Sequence, residues 1–199
     1  MDRYGHHALI CKAGPVNIVT RHNRIRDTIY DICQEVNAEA SKEQAFGRLT
    51  SALSASNDGV LDENEADRPA DVKIENWLQG AAVIVDVSIC NAHLHESVAV
   101  ETFDPKATFH LAANRKNDRS KNQVRALGLH FLPFVMGSLG GFCPDAVQVL
   151  NFLSQKWELK FNTRASHALS LLRRRFALVL QKCQAAQIID RGILAEVLA

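Results

Sequence analysis

A chain of 199 residues, 47% of them hydrophobic and 23% charged, is long enough to bury one core and too apolar for disorder to be expected. Its formal net charge of +1 excludes bulk charge as evidence for a nucleic-acid partner, so only the distribution of basic residues can indicate one. The five widely spaced cysteines indicate reduced thiols rather than a disulfide framework. No apolar run reaches the roughly 18 residues of a membrane span and no signal peptide is recognisable, so we expect a soluble intracellular protein.

The amino-terminal part of the sequence predicts one helix followed by a loop. Apolar residues recur at helical spacing over residues 25–40, and Thr20 is available as an N-terminal cap. Residues 41–67 are rich in serine, asparagine and acidic residues, which is typical of loop. Only a weak strand candidate, residues 46–53, interrupts this stretch.

Two strands are predicted next, over residues 70–75 and 81–89. The sequence NWLQG joins them, and Gly80 permits a tight reversal, so the strands should pair antiparallel. Asp71 lies at the start of the first strand and Asp86 in the middle of the second.

The rest of the chain predicts a helix, a strand and two more helices. The first of these helices should end at Gly128. The following LHFLPFVMGS is apolar throughout, as in a strand covered on both faces, and Pro133 within it indicates an edge strand or an irregularity. Helical periodicity returns over residues 145–157 and 165–187. This order predicts an α/β fold with a mixed sheet of about four strands, helices on its faces and a C-terminal helical extension.

The two aspartates of the hairpin suggest a shared cation. Two strands joined by a short turn bring Asp71 near Asp86, although the spacing alone does not fix the register. Two carboxylates at one end of a sheet repel each other, and Mg²⁺ between them would offset that repulsion, so the carboxyl groups should lie within about 6 Å. The alternative is structural for Asp71, since an aspartate shortly after proline is commonly a turn or cap residue. Asp86, inside an apolar strand, needs a compensating partner in either case.

These residues also carry a resemblance to a known family. RPAD, then 14 residues, then DVSI resembles the catalytic signature of the restriction-endonuclease-like domain at the C-terminal end of site-specific non-LTR retrotransposon (reverse transcriptase) proteins, within the PD-(D/E)xK nuclease superfamily. RHN at residues 21–23 matches a short basic motif of these domains, and GHHALIC at residues 5–11 resembles the end of their zinc knuckle. Residues 115–141 and the tail RRRFALVLQKCQAAQII are similar to the helix, strand and C-terminal helix that follow. Together these segments cover most of the chain in order.

The resemblance implies a restriction-endonuclease-like core and a metal-dependent DNA endonuclease that nicks a phosphodiester bond. Asp71 and Asp86 would bind Mg²⁺ or Mn²⁺, which activates water and stabilises the charge that develops on the phosphate. A third acidic ligand is implied at Glu35 or Glu43, which the sequence does not rank. The expected metal ligands are therefore Asp71, Asp86 and Glu43.

The sequence departs from the family pattern at the lysine. The superfamily places a lysine two residues after the second acid, and this chain has Ser88 there. It also has Ala70 between the proline and the first aspartate. In retroelement copies the next helix can supply the lysine, which implies Lys116 as a catalytic residue, with Lys121 second. A solvated lysine is the ordinary alternative for each.

Basic residues are clustered on the predicted helices. Such clusters can hold DNA phosphates, and a solvated helix face is the alternative, above all for residues 173–175. Acidic residues concentrate at 58–67, a segment expected to face away from DNA. The expected DNA contacts are Arg21, His22, Asn23, Arg24, Arg115 and Arg119.

The sequence suggests three regions. His6, His7 and Cys11 have the spacing of half a zinc site, which does not close a tetrahedral one, so we expect no structural zinc and interpret residues 1–19 as the remnant of a zinc-knuckle-like segment of a longer protein. Residues 20–157 would form the endonuclease-like domain and residues 158–199 the helical extension. In a eukaryotic host the protein is expected in the nucleus.

Two other functions compete with an active nuclease. One is a DNA-binding module of the same fold whose catalysis is lost, which the Ser88 departure favours. The other is a helix-mediated interaction protein, including a homodimer through the C-terminal helix. The alternative for that helix is packing on the domain's own core. The apolar stripe in question is Leu169, Leu172, Phe176, Val179, Leu180 and Cys183.

Overall fold

The structure is a computed structural model, and it describes residues 18–45, 69–78, 80–90 and 107–197. These residues form four helices and four strands. In chain order they are α1 (Ile18–Glu35), β1 (Ala40–Ala45), β2 (Pro69–Leu78), β3 (Ala81–Cys90), α2 (Ala107–Ala126), β4 (His130–Gly137), α3 (Pro144–Phe161) and α4 (Ala165–Val197).

The four strands form one mixed sheet in the order β1-β2-β3-β4. β1, β2 and β3 pair antiparallel, whereas β4 is parallel to β3. A parallel pair needs a crossover, and α2 lies between β3 and β4 in the chain. The predicted α/β class, the mixed four-stranded sheet, the flanking helices and the C-terminal helix are therefore confirmed. β4 lies at one edge of the sheet, which is the position that a proline such as Pro133 favours within a strand.

The main core lies between one face of the sheet and helices α1, α3 and α4. Ile25, Ile29 and Ile32 of α1 are fully buried because their spacing places them on one side of the helix. Strand residues Val85 and Val87 belong to the same core. Asp86 alternates with them and therefore lies on the opposite side of the sheet, where a smaller apolar cluster joins Ile84, Val124, Leu129 and Phe131.

The region after α1 differs from the prediction. The helix ends at Glu35 and not near residue 40, because Asn37 adopts a left-handed φ of 55° that breaks the helical path. β1 then occupies residues that the sequence predicts as loop. Its polar sequence ASKEQA has no apolar alternation, because β1 is an edge strand. The strand candidate at residues 46–53 lies outside the described residues.

The central hairpin is longer than predicted. β2 continues to Leu78 through an irregularity between Ile74 and Leu78, where Asn76 has a φ of 51°. Such a bulge lets the pairing resume, so Leu78 pairs with Ala81. Gly80, with a φ of 83°, occupies the turn, as the sequence predicts.

The C-terminal helix is part of the main core. Leu172, Phe176 and Leu180 of α4 are buried, and the ring centroid of Phe176 lies 5.2 Å from that of Phe134 on β4. The boundary predicted between residues 157 and 158 falls inside α3 (Pro144–Phe161). The apolar stripe of α4 therefore packs on the protein's own core, which is the alternative to the homodimer, and its buried residues are not available to a second copy. Within the described ranges, no helix combines the length and apolarity needed to cross a bilayer.

Candidate active site

Asp71 and Asp86 occupy facing positions on β2 and β3. The register pairs Val72 with Val85 and Lys73 with Ile84, so the next step toward the strand end sets Asp71 against Asp86. The regular pairing of β2 with β3 stops at Val72. Beyond it, the backbone N–H of Val87 donates a hydrogen bond to Asp71 Oδ2 at 2.6 Å. The Asp71 side chain thus joins the two strands where their backbones cease to pair.

His22 of α1 is the second partner of Asp71. Its Nε2 lies 3.1 Å from Asp71 Oδ2, and its Nδ1 lies 3.3 Å from Asn23 Oδ1. The hydrogen bond to Asp71 raises the pKa of His22, against the opposing effect of burial. An imidazolium donates from both nitrogens, so this arrangement suits the charged ring. His22 thus contacts the Asp71 carboxylate and Asn23 contacts His22, and the role of both residues in DNA binding stays a prediction.

The pKa values of the two carboxyl groups depend on each other. Burial raises the pKa of Asp71, but the His22 and Val87 hydrogen bonds outweigh it, and the net pKa is lowered. Burial likewise raises the pKa of Asp86, and the neighbouring Asp71 carboxylate adds to it, so that the net pKa is raised despite Lys116. Of the two carboxyl groups, Asp71 has the lowered pKa and Asp86 the raised one, so Asp86 is the later of the two to ionise. The register sets the two carboxyl groups side by side, and the spacing that a shared cation requires stays a prediction.

Lys116 of α2 contacts the second carboxylate. Its Nζ lies 2.5 Å from Asp86 Oδ1, and the two side chains are 22% and 25% exposed. Lys121 follows five positions later, about 140° around the helix, and forms no ion pair with either aspartate. Of the two lysines in the prediction, Lys116 is therefore at the site and Lys121 is not.

The two candidates for a third acid are separated by the fold. Lys42 pairs with Val72 and Gln44 with Ala70, so Glu43 holds the β1 position beside Asp71. The side chain of Glu43 lies outside the described residues. Glu35 forms an ion pair with Arg175 at 2.6 Å, about 20 Å along α1 from His22, so it does not belong to the site.

The donor set fits a hard divalent cation. Two facing carboxyl groups supply the oxygen ligands that Mg²⁺ and Mn²⁺ prefer, and a cation between them would offset their mutual repulsion. Across the part of the chain that the structure describes, no group of three or more His, Cys, Asp or Glu residues is arranged to hold a metal. This statement does not cover the Glu43 side chain, and substrate oxygens and water normally complete such a coordination shell.

The residues predicted to contact DNA differ in how far they are exposed. Arg21 is only 3% exposed, which does not favour the predicted contact with DNA from the protein surface. It lies on the same side of α1 as Ile25, facing the core, because residues four apart share a helix face. Arg24, Arg115 and Arg119 are exposed, as a DNA interface requires, and their role stays a prediction.

A second ion pair was missed in the sequence. Lys73 and Glu75 follow Asp71 at alternate positions of β2, and Lys73 Nζ lies 2.5 Å from a Glu75 carboxylate oxygen. Their side chains are partly buried. The alternation of charged residues at positions 71, 73 and 75 indicates that their side chains share one face of the predicted strand, and this is the sequence signal for the pair.

No protein-family model matches this sequence, and no curated protein matches it. The predictions for zinc at residues 6–11 and for the acidic segment 58–67 lie outside the described residues.

The His22–Asp71 pair predicts a specific pH dependence of stability. His22 has a raised pKa, so its contribution is complete below 6.5 and is lost as pH rises through the folded-state pKa. Asp71 has a lowered pKa, so its contribution is present above 3.8 and is lost as pH falls through its folded-state pKa. We expect His22→Gln to lower the free energy of unfolding most between these two values, as measured by urea unfolding across pH.

The control for this prediction is the same substitution in a variant that lacks the Asp71 carboxylate. In an Asp71→Asn background, His22→Gln should cause little further pH-dependent loss, because the ion pair is already absent. An equal loss in both backgrounds would show that His22 stabilises the fold independently of Asp71.

Proposed function

We propose that this protein is a metal-dependent DNA endonuclease that nicks a phosphodiester bond, with Mg²⁺ or Mn²⁺ bound by Asp71 and Asp86. The observation that carries the proposal is the facing pair of carboxyl groups where β2 and β3 cease to pair, with Lys116 on the second of them. The resemblance to the nuclease domain of non-LTR retrotransposon proteins supports the same assignment. In a eukaryotic cell, an enzyme with this substrate would act in the nucleus.

His22 and Asp71 would form the fixed half of the site. His22 and the Val87 N–H both bind Oδ2 of Asp71, which orients the carboxylate and keeps it ionised. Its other oxygen, Oδ1, is then the one directed to a cation. A bound Mg²⁺ would supply activated water near neutral pH and would stabilise charge on the phosphate. Glu43 is the proposed third ligand because of its position beside Asp71.

Asp86 and Lys116 would form the second half of the site. With both carboxylates ionised and a cation bound between them, the Lys116 ammonium would lie beside the scissile phosphate. Lys116 would either neutralise charge on that phosphate or orient the attacking water. Arg24, Arg115 and Arg119 are the proposed phosphate contacts along the DNA.

One observation favours a second candidate, a DNA-binding module without catalysis. Both carboxylates already have a cationic partner within the protein, His22 for Asp71 and Lys116 for Asp86. Such a cluster is close to neutral without any metal. In that case the site would be a structural ion-pair network, and the protein would hold DNA without cleaving it.

The two lysines of α2 provide a matched test. Lys116→Met should lower the rate of Mg²⁺-dependent nicking of supercoiled plasmid by about tenfold, which corresponds to about 1.4 kcal/mol of lost transition-state stabilisation. Lys121→Met removes the same charge from the same helix but not from the site, so its rate should match the parent. Equal rates for all three proteins would remove Lys116 from the mechanism. A parent protein that binds DNA but shows no divalent-dependent nicking would decide for the non-catalytic module.

A further inference from the structure

Lys73 lies on the same face of the sheet as the two aspartates. Residues 71, 73 and 75 alternate along β2 with buried core residues, so their side chains point to the opposite face. The register sets Lys73 against Ile84, and Asp86 is then its diagonal neighbour on β3. Diagonal neighbours lie about 7–8 Å apart, which is within reach of a long side chain. Lys73 is therefore a strand-borne cation beside the two carboxylates.

Helix α2 forms a wall along one side of this face. It packs on β4 and β3, where Val124 clusters with Ile84 and Lys116 contacts Asp86. The helix therefore runs along β3 from Asp86 toward the hairpin turn. The main core lies on the other face, so in the described part of the chain the outer face of β2 lies beside α2 rather than beneath it. The two elements thus place one lysine on either side of the carboxylates, Lys116 on the helix and Lys73 on the strand.

Glu75 holds Lys73 in an ion pair. Lys73 Nζ lies 2.5 Å from Glu75 Oε1, and the two side chains are 20% and 32% exposed. An ammonium group has three N–H donors, and a single carboxylate oxygen accepts one of them. Because the pair is partly exposed, the Lys73 ammonium can also donate to an oxyanion that arrives from solvent.

We propose that Lys73 binds the DNA phosphate next to the scissile one, with Glu75 positioning its ammonium group. The assignment of that phosphate rests on the proposed function, in which the two aspartates and Lys116 hold the scissile phosphate. A DNA strand that approaches this face meets the carboxylates of Asp71, Asp86 and Glu75, and each of them repels its phosphates. A metal ion bound by the aspartates offsets that repulsion at the scissile phosphate. Lys73 supplies the positive charge for the phosphate beside it.

The salt dependence of DNA binding tests this contact. Binding of a short duplex is measured by fluorescence anisotropy in EDTA over a series of KCl concentrations, so that no divalent-dependent nicking interferes. Each phosphate contact contributes about 0.9 to the slope of log K against log salt, so Lys73→Met should reduce the slope by about that amount. Lys73→Arg keeps the charge and should keep the slope. An unchanged slope in Lys73→Met would overturn the proposal, as would a parent protein that does not bind the duplex.

Two further variants separate the contact from net charge and from folding. Lys42→Met removes a lysine of β1 whose ion pair with Asp27 lies on the α1 side of the sheet, so its slope should match the parent. The double substitution Lys73→Met/Glu75→Gln keeps the net charge of the protein and leaves no unpaired carboxylate, so it covers the case in which Lys73→Met alone does not fold. It should show the same reduced slope. A parental slope in the double variant, or an equal reduction in Lys42→Met, would reject the contact.

Nicking kinetics distinguish this contact from the chemistry at Lys116. A phosphate contact away from the reacting bond is made equally in the substrate complex and the transition state, so Lys73→Met should raise KM several-fold and leave kcat within about twofold. A lower kcat at unchanged KM would overturn the proposed role. If the parent does not nick DNA but its salt slope depends on Lys73, the nuclease fails and Lys73 remains a DNA contact. The two proposals can therefore fail separately.

Discussion

Replacing Asp86 with asparagine is expected to lower nicking of supercoiled plasmid in Mg²⁺ by at least about a hundredfold. The substitution keeps the size of the side chain and removes the charge that would hold the cation. Affinity for DNA should be unchanged or higher, since one carboxylate facing the phosphates has gone.

Asp118→Asn is the matched control for this experiment. Asp118 is an exposed acid of α2, and its replacement changes the net charge equally without reaching the site. Nicking should therefore match the parent. If the Asp86 variant nicks as fast as the parent, the assignment of metal ligands fails and Asp86 is a structural partner of Lys116. Affinities should be compared at one salt concentration, because phosphate contacts depend strongly on salt.

Phe176→Ala should destabilise the protein by about 3–5 kcal/mol, as expected for removal of a fully buried aromatic ring. The ring packs between Phe134 of β4 and Phe142, with centroids 5.2 and 6.1 Å away. Urea unfolding followed by tryptophan fluorescence measures the loss, because Trp77 on β2 belongs to the same core. A single transition at lower urea is the expected result.

The matched substitution on the same helix is Leu178→Ala. Leu178 is 55% exposed, so its truncation should change stability by no more than about 0.5 kcal/mol. If Phe176→Ala has a small effect, or if α4 unfolds in a transition separate from that of the sheet, then α4 is an appendage of an independently stable domain. A dependence of the midpoint on protein concentration would indicate that a second copy completes the core.

The sequence alone determined the elements with a clear local period. Helices α1 to α4 and the hairpin strands carry apolar residues at spacings of a helix or a strand, so their type follows from backbone geometry. Gly80 and Gly128 take positive φ angles at the ends of elements where their freedom predicts turns. The aspartate within an apolar strand likewise required a partner nearby, and Lys116 is there.

Only the tertiary structure decided which distant residues meet. β1 has no apolar alternation, so nothing in its sequence announced the third antiparallel strand or the position of Glu43 beside Asp71. The contact of His22 with Asp71 depends on how α1 crosses the strand ends, because 49 positions separate the two residues along the chain. Arg21 and Arg24 are equally basic in the sequence, but only the packing of α4 on α1 buries the first and exposes the second. Local preferences are set by neighbours within a few residues, whereas burial and register depend on surfaces that exist only once the elements have packed.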